Sequence, residues 1–386
     1  MDVKTTFLNG DLSEEAYMSQ PEGFKENGKE NMVCRLKKSI YGLKQASRQW
    51  YLKFDKIVTS FGFIENKFDQ CVYMKVNGSK YIFMVLYIDE ILLASSDMNL
   101  LNDTKSILST NFNMKDLGEA SFVLGIEIYR DRSRNLLGLS QRAYINRVLK
   151  RFNMQTCKAG DVLVVKENKL ICTRPDIAFI VNVLGRYLWN PRHDHWVAAK
   201  KVMRYLQRTK DFMLVYRRVD NLEVVGYSDS DFGCCSNDHK STLGYIFMLA
   251  GGAISWKSVK HSLIASSTMY AEFVACYGAS SQAVWLRNLI SELQVVDSIF
   301  RPIVIYCDNN ATVLYSKNNK ISMVSKHMEI KYLTVKELLK KKKDIVIEHI
   351  KTESMLADPL TKGLKPITFK EHVVNMSVIM SFDSLV

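Results

Sequence analysis

Residues 222–233 read LEVVGYSDSDFG, an apolar run closing on two aspartates, and residues 302–309 repeat the pattern as PIVIYCDN. A strand whose last residues are acidic delivers carboxylates to one edge of a sheet. The segments around these two runs extend the pattern. TLGYIFMLAGGAISWKS (242–258) predicts a hairpin turning at Gly251-Gly252, and TMYAEFVACYGASSQAVWLRNLISEL (268–293) predicts a long helix. The strand at 302–308 runs into a short helix. KHMEIKYLTVKELLKKKK (326–343) predicts another helix, DIVIEHI (344–350) a last strand, and TESMLADPLTKGL (352–364) an acidic close. The order βββ–α–β–α–β specifies a mixed α/β sheet with helices on its faces.

Asp229 and Asp308 end two apolar runs of that sheet, so adjacent strands would bring them together. Glu272 lies early in the long helix, on the side of Ala275 and Cys276. A carboxylate on such a face is costly unless something binds it. Asp358 follows the last strand, where Pro359 stops any helix. Each acid has a mundane alternative: Asp308-Asn309 as a helix N-cap, Asp229 and Asp231 as loop acids, Asp358 as a turn residue. Together they fit a metal-dependent phosphoryl-transfer site, because two divalent ions roughly 4 Å apart need such a set of oxygen ligands.

The 386-residue length predicts two or three compact units, and a net charge of +13 fits a polyanionic partner such as nucleic acid. A merely basic protein is the bland alternative. Eight cysteines without a C-x-x-C pair argue against structural zinc and for a reducing compartment. MDVKTTFLNGDL (1–12) carries no signal-peptide pattern and no apolar run reaches the ~18 residues of a span, so an intracellular protein is expected. Upstream, a helix is expected over about 45–60, and KYIFMVLYIDEILLAS (80–95) predicts a hairpin with Asp89 and Glu90 at its turn. A helix over 97–112 would open on Asp97 as N-cap. Strands follow in SFVLGIEIYRD (121–131) and LLGLS (136–140), then a helix in QRAYINRVLKRFN (141–153). Residues 158–170 form a junction. Two helices split by Pro191 come next, the second carrying Lys200, Lys201, Arg204 and Arg208 on one face, either simply solvated or turned toward phosphates.

The blocks GYSDSDFG (226–233), KSTLGYIFMLAGGAISWKS (240–258), SSTMYAEFVACY (266–277), IYCDNNA (305–311) and IEHIKTESMLADPLTKGL (347–364) resemble, in order, the ribonuclease H domain of copia-type LTR retrotransposon Pol polyproteins. MDVKTTFLNGDLSEEAYMSQPEGF (1–24), LKKSIYGLKQASRQWY (36–51), LYIDEILLA (86–94), MKDLGEASFVLGIEI (114–128) and CTRPDIAF (172–179) resemble the same polyprotein's reverse transcriptase. The resemblance implies an α/β chain: an α+β palm and thumb portion over 1–156, a shortened connection over 157–221, a ribonuclease H-like mixed-sheet domain over 222–364 and a tail over 365–386. It makes Asp229, Glu272, Asp308 and Asp358 the ligands of two Mg2+ ions, cutting the RNA strand of an RNA–DNA hybrid. It makes Asp2, Asp89 and Glu90 the polymerase acids, with glutamate where the family has a second aspartate. Lys44 and Gln45 fall in the block that meets template and nucleotide, and Lys200, Lys201 and Arg204 are candidate nucleic-acid contacts. His349 either assists product release or is an ordinary surface histidine. Lys340–Lys343 either complement a helix end or grip the hybrid.

The chain opens one residue before DVKT (2–5), so the fingers are expected to be missing, and Ser47 stands where the family usually has proline. The expectation is a truncated element copy whose polymerase activity is lost and whose ribonuclease H acids remain. It would be associated with an intact polyprotein in a cytoplasmic particle or the nucleus. The alternative is a relic without catalysis that binds nucleic acid. An integrase on the same fold fits the order of acids less well.

Overall fold

The computed structural model describes all residues except 13, 26, 27, 30, 158–171, 234–238, 295, 318–343 and 386. The junction at 158–170, the helix expected over 326–343 and Lys340–Lys343 therefore lie outside the described residues. The chain divides into two compact units, Met1–Ala120 and Ser121–Val386. Compactness alone thus groups residues 121–156 with the later part of the chain.

The first unit is built on a six-stranded antiparallel sheet, whose central hairpin joins Lys80–Tyr87 to Glu90–Ser95. The helix Ala46–Ser60 buries Ala46, Trp50, Phe54 and Val58, a four-residue stripe that aims one side at the sheet. Trp50 and Phe54 meet Phe112 there, with ring centroids 5.2 and 5.7 Å away. The helix Met98–Asn111 opens as expected: the Leu100 N–H donates to Asp97 Oδ1 at 2.9 Å.

The second unit contains two five-stranded sheets. One is antiparallel and runs in the order Val378–Ile379, Met213–Arg217, Leu136–Ser140, Ile126–Asp131, Phe122–Val123. The residues after 364 include a helix, Pro366–Asn375, and the edge strand Val378–Ile379 of this sheet. Nearby, Arg174 and Asp176 are both buried. Arg174 donates through Nε and Nη2 to Asp176 at 2.9 and 2.7 Å, through Nη1 to the Thr209 carbonyl at 3.0 Å, and Tyr205 donates to Asp176 Oδ2 at 2.7 Å. Complete satisfaction is what makes a buried ion pair tolerable. The helix beginning at Pro175 ends at Gly185, well short of Pro191. The basic helix is His193–Arg208; its inner face buries Val202, Met203, Tyr205 and Leu206 and its outer face exposes Lys200, Lys201 and Arg204.

The other sheet is the mixed one. Its order is Gly252–Lys260, Thr242–Leu249, Val225–Ser230, Ile303–Cys307, Ile345–His349. The first two pairings are antiparallel and the last two parallel. The α/β architecture is therefore present. The hairpin turns at Ala250-Gly251, one position earlier than expected. Gly251 has φ +78°, whereas a Cβ on Gly252 would sit 2.6 Å from the Val215 carbonyl. The two glycines answer separate demands, a left-handed turn and a close backbone approach.

Among the described residues no helix is long and apolar enough to cross a membrane.

Candidate metal centre

Asp229 is the fifth residue of the strand Val225–Ser230, and Asp308 follows the strand Ile303–Cys307 immediately. Parallel pairing sets Tyr227 opposite Tyr306, so both aspartates leave the same end of neighbouring strands. The long helix Thr268–Leu293 crosses this pair. Ser267 caps it by accepting from the Tyr270 N–H at 3.1 Å, and Ala271, Ala275, Cys276 and Ala279 are fully buried small residues that let it lie close to the sheet. That approach carries Glu272, 6% exposed, down onto the strand ends.

Asp358 arrives on a short turn of 3₁₀ helix, Asp358–Leu360. The turn lies against the strand Thr242–Leu249 at Gly244, where a Cβ would stand 2.7 Å from Leu360 Cβ and 2.8 Å from Thr361 Cγ2. Glycine at 244 is what lets the Asp358 turn come this close.

The result is convergence. Ligand atoms of Asp229, Asp308 and Asp358 all lie within 4.8 Å of one another, and so do those of Glu272, Cys307 and Asp308. Asp308 belongs to both groups. It is free to do so because Asn309 does the capping: the Thr312 N–H donates to Asn309 Oδ1 at 3.0 Å. Asp231, the neighbouring acid, is buried and accepts from the Thr242 N–H, a structural duty at the strand start.

Burial pushes the Asp229 carboxyl above the usual range, with Lys362 opposing the shift. Burial, then the charge of Asp229, raises Glu272 well above its ordinary value and raises Asp358 to about 7. Cys307 Sγ is 3.9 Å from Glu272 Oε2, and a hydrogen bond with Cys276 together with burial keeps its thiol protonated far above neutrality. Asp229, Glu272 and Asp358 are thus held in places that disfavour their charge until a cation arrives.

Two groups were not foreseen from the sequence. Thr361 Oγ1 donates to Asp229 Oδ2, and Lys362 Nζ lies 2.9 Å from Asp358 Oδ1 and 3.6 Å from Asp229 Oδ1. One ammonium is therefore shared by two of the four carboxylates, and hard divalent cations suit such an oxygen-rich, negatively charged donor set. His349 Nε2 is 3.2 Å from the Asp308 carbonyl oxygen, on an exposed side chain.

The expected polymerase acids are arranged differently. Asp2 pairs with Glu90 across neighbouring strands and the Val3 N–H donates to the Asp89 carbonyl at 2.8 Å, so the three are near in backbone. Among the described residues, neither group of converging ligand atoms contains Asp2, Asp89 or Glu90. Lys44 is exposed, and Gln45 Nε2 donates to Glu14 at 2.8 Å.

Residues 1–166 match the family described as reverse transcriptase (RNA-dependent DNA polymerase). Over 394 aligned residues the chain is 39% identical to the retrovirus-related Pol polyprotein from transposon TNT 1-94 of Nicotiana tabacum, covering 94% of this chain. The chain belongs to the retrovirus-related Pol polyproteins of transposons. A second Pol polyprotein, from transposon RE2 of Arabidopsis thaliana, is 34% identical over 98% of the chain. The chain spans 29% of the first relative and 27% of the second, so it corresponds to little more than a quarter of such a Pol polyprotein. Among solved structures, LC11-RNase H1 in complex with an RNA/DNA hybrid aligns with a TM-score of 0.27 and 17% identity, over 36% of this chain and 94% of that one.

Proposed function

We propose that residues 222–364 are a copia-type ribonuclease H domain that hydrolyses the RNA strand of an RNA–DNA hybrid with two Mg2+ ions. The observation carrying this reading is the convergence of Asp229, Asp308 and Asp358 within 4.8 Å, with Glu272 meeting Asp308 from the helix side. Bound by these acids, divalent ions would supply charge neutralisation at the phosphorus and acidify a water. The chain's own residues hold them in place. Thr361 orients Asp229 through Oδ2, the capped helix start leaves Asp308 unengaged, and the packed small face of the long helix fixes Glu272. Lys200, Lys201 and Arg204 would contact phosphates, and Lys44 and Gln45 the template in the reverse transcriptase portion.

The partition 1–156, 157–221, 222–364 and 365–386 belongs to this reading, as does an intracellular setting beside an intact polyprotein. Polymerase activity through Asp2, Asp89 and Glu90 is lost in it, in keeping with Glu90 standing where the family has a second aspartate. The test is a labelled RNA–DNA hybrid incubated with Mg2+ and either the protein or its Asp308→Asn variant. RNA cleavage that vanishes in the variant supports the reading. Equal background in both overturns it.

A further inference from the structure

We infer that Lys362 is a built-in cation of the acidic site, standing where one divalent ion would bind between Asp229 and Asp358, so that this ion enters only by displacing it. The inference rests on the metal-dependent nuclease reading above.

The geometry is specific. Lys362 Nζ faces Oδ1 of both aspartates, at 2.9 Å from Asp358 and 3.6 Å from Asp229. The other oxygen of Asp229 already accepts from Thr361 Oγ1. An ion that takes Asp229 and Asp358 together therefore contends with the ammonium for the same oxygens. Displacement is feasible because the lysine side chain is 35% exposed, and a flexible four-carbon stem carries its head from the carboxylates to water without moving the backbone. That backbone is held independently, by the Lys362 N–H donating to the Asp358 carbonyl at 3.1 Å.

The two halves of the site become unequal in consequence. In the group Glu272, Cys307 and Asp308 the lysine makes no ion pair and acts on Asp308 only through its charge at longer range, so an ion there meets weaker competition. The Asp229–Asp358 half binds its ion against a resident +1 charge, so occupancy is sequential and the second ion is the weaker. A single ammonium in contact with buried carboxylates is a strong local charge, and its removal should tighten this second ion by about 10-fold or more.

Mn2+ binding to the full chain, followed by electron paramagnetic resonance of the free ion and by calorimetry, tests this without an activity assay. Wild type should show a tighter and a weaker ion. Lys362→Met should tighten the weaker ion by about 10-fold while the metal-free protein melts at a lower temperature. Lys362→Arg, which keeps the charge, should stay close to wild type. Circular dichroism confirms that each variant is folded. Binding that Asp308→Asn disrupts but folded Lys362→Met leaves unchanged, or weakens, overturns this inference alone. Absence of specific Mn2+ binding in wild type overturns the nuclease reading and the inference with it.

Discussion

The Thr312 N–H donates to Asn309 Oδ1 at 3.0 Å, so the asparagine caps the helix Asn310–Lys317 and Asp308 has no part in that cap. Adjacent residues thereby divide structural and chemical duty, and substitution should separate them. Asp308→Asn should lower metal-dependent hybrid cleavage by on the order of 100-fold or more, with the metal-free melting temperature unchanged or raised. Asn309→Ala should cost about 1 kcal/mol of stability through the lost cap, with ion affinity largely kept. Denaturant unfolding beside a cleavage assay on the same preparations decides between them.

Asp358, raised to about 7 from an ordinary value of 3.8 mainly by burial, sets a pH dependence of unusual sign for a carboxylate. Between those values the folded, metal-free protein retains a proton that the unfolded chain has released, so stability falls as pH rises through the window. Asp229 and Glu272 shift in the same direction. Melting temperatures in a chelator should therefore decline by a few degrees from about pH 5 to pH 8, and millimolar Mg2+ should reverse the decline above pH 7. A chelated protein that grows more stable over that range would contradict this account of the site.

Gly244→Ala should act at a distance from the acids it protects. Its Cβ would press on Leu360 and Thr361 at under 3 Å, so the Asp358 turn must move. Overpacking of this kind costs about 1–3 kcal/mol. Metal affinity should fall together with stability, whereas Gly363→Ala, with open space around its Cβ, should change neither.

The buried Arg174–Asp176 pair offers a test of the fold alone. Arg174→Met leaves Asp176 buried without its cation and should cost about 3–5 kcal/mol. Adding Asp176→Leu to the same protein should recover most of the loss, a rescue that a simple packing role for Arg174 does not provide.

Primer extension on an RNA template should give no product, because Glu90 stands where the family has a second aspartate beside Asp89 and a misplacement of about 1 Å can cost ~100-fold in rate. Extension that disappears in Asp89→Asn would refute this.

Much of the site was legible beforehand because its carriers are periodic. Apolar alternation placed Asp229 and Asp308 at strand ends, and an acid on an otherwise apolar helical face marked Glu272. What stayed hidden depends on approach between distant segments. No spacing rule says that the turn after Asp358 folds Lys362 back over two carboxylates, or that Gly244 and Gly252 serve close approaches of distant segments rather than turns. Asp308 and Asn309 were ambiguous for a local reason, since either side chain is a good cap and only the fold chooses. The helix from Pro175 ends at Gly185, a weak helix former, where the Arg186 and Tyr187 N–H groups turn back to the Val183 and Leu184 carbonyls at 3.2 and 3.0 Å.

The bond from Thr361 to Asp229 joins positions 132 residues apart. A nascent chain emerging from the ribosome thus carries Asp229, Glu272 and Asp308 long before it carries the turn that completes them. A stop anywhere ahead of Asp358 leaves Asp229 without Thr361 and the group Asp229, Asp308 and Asp358 incomplete.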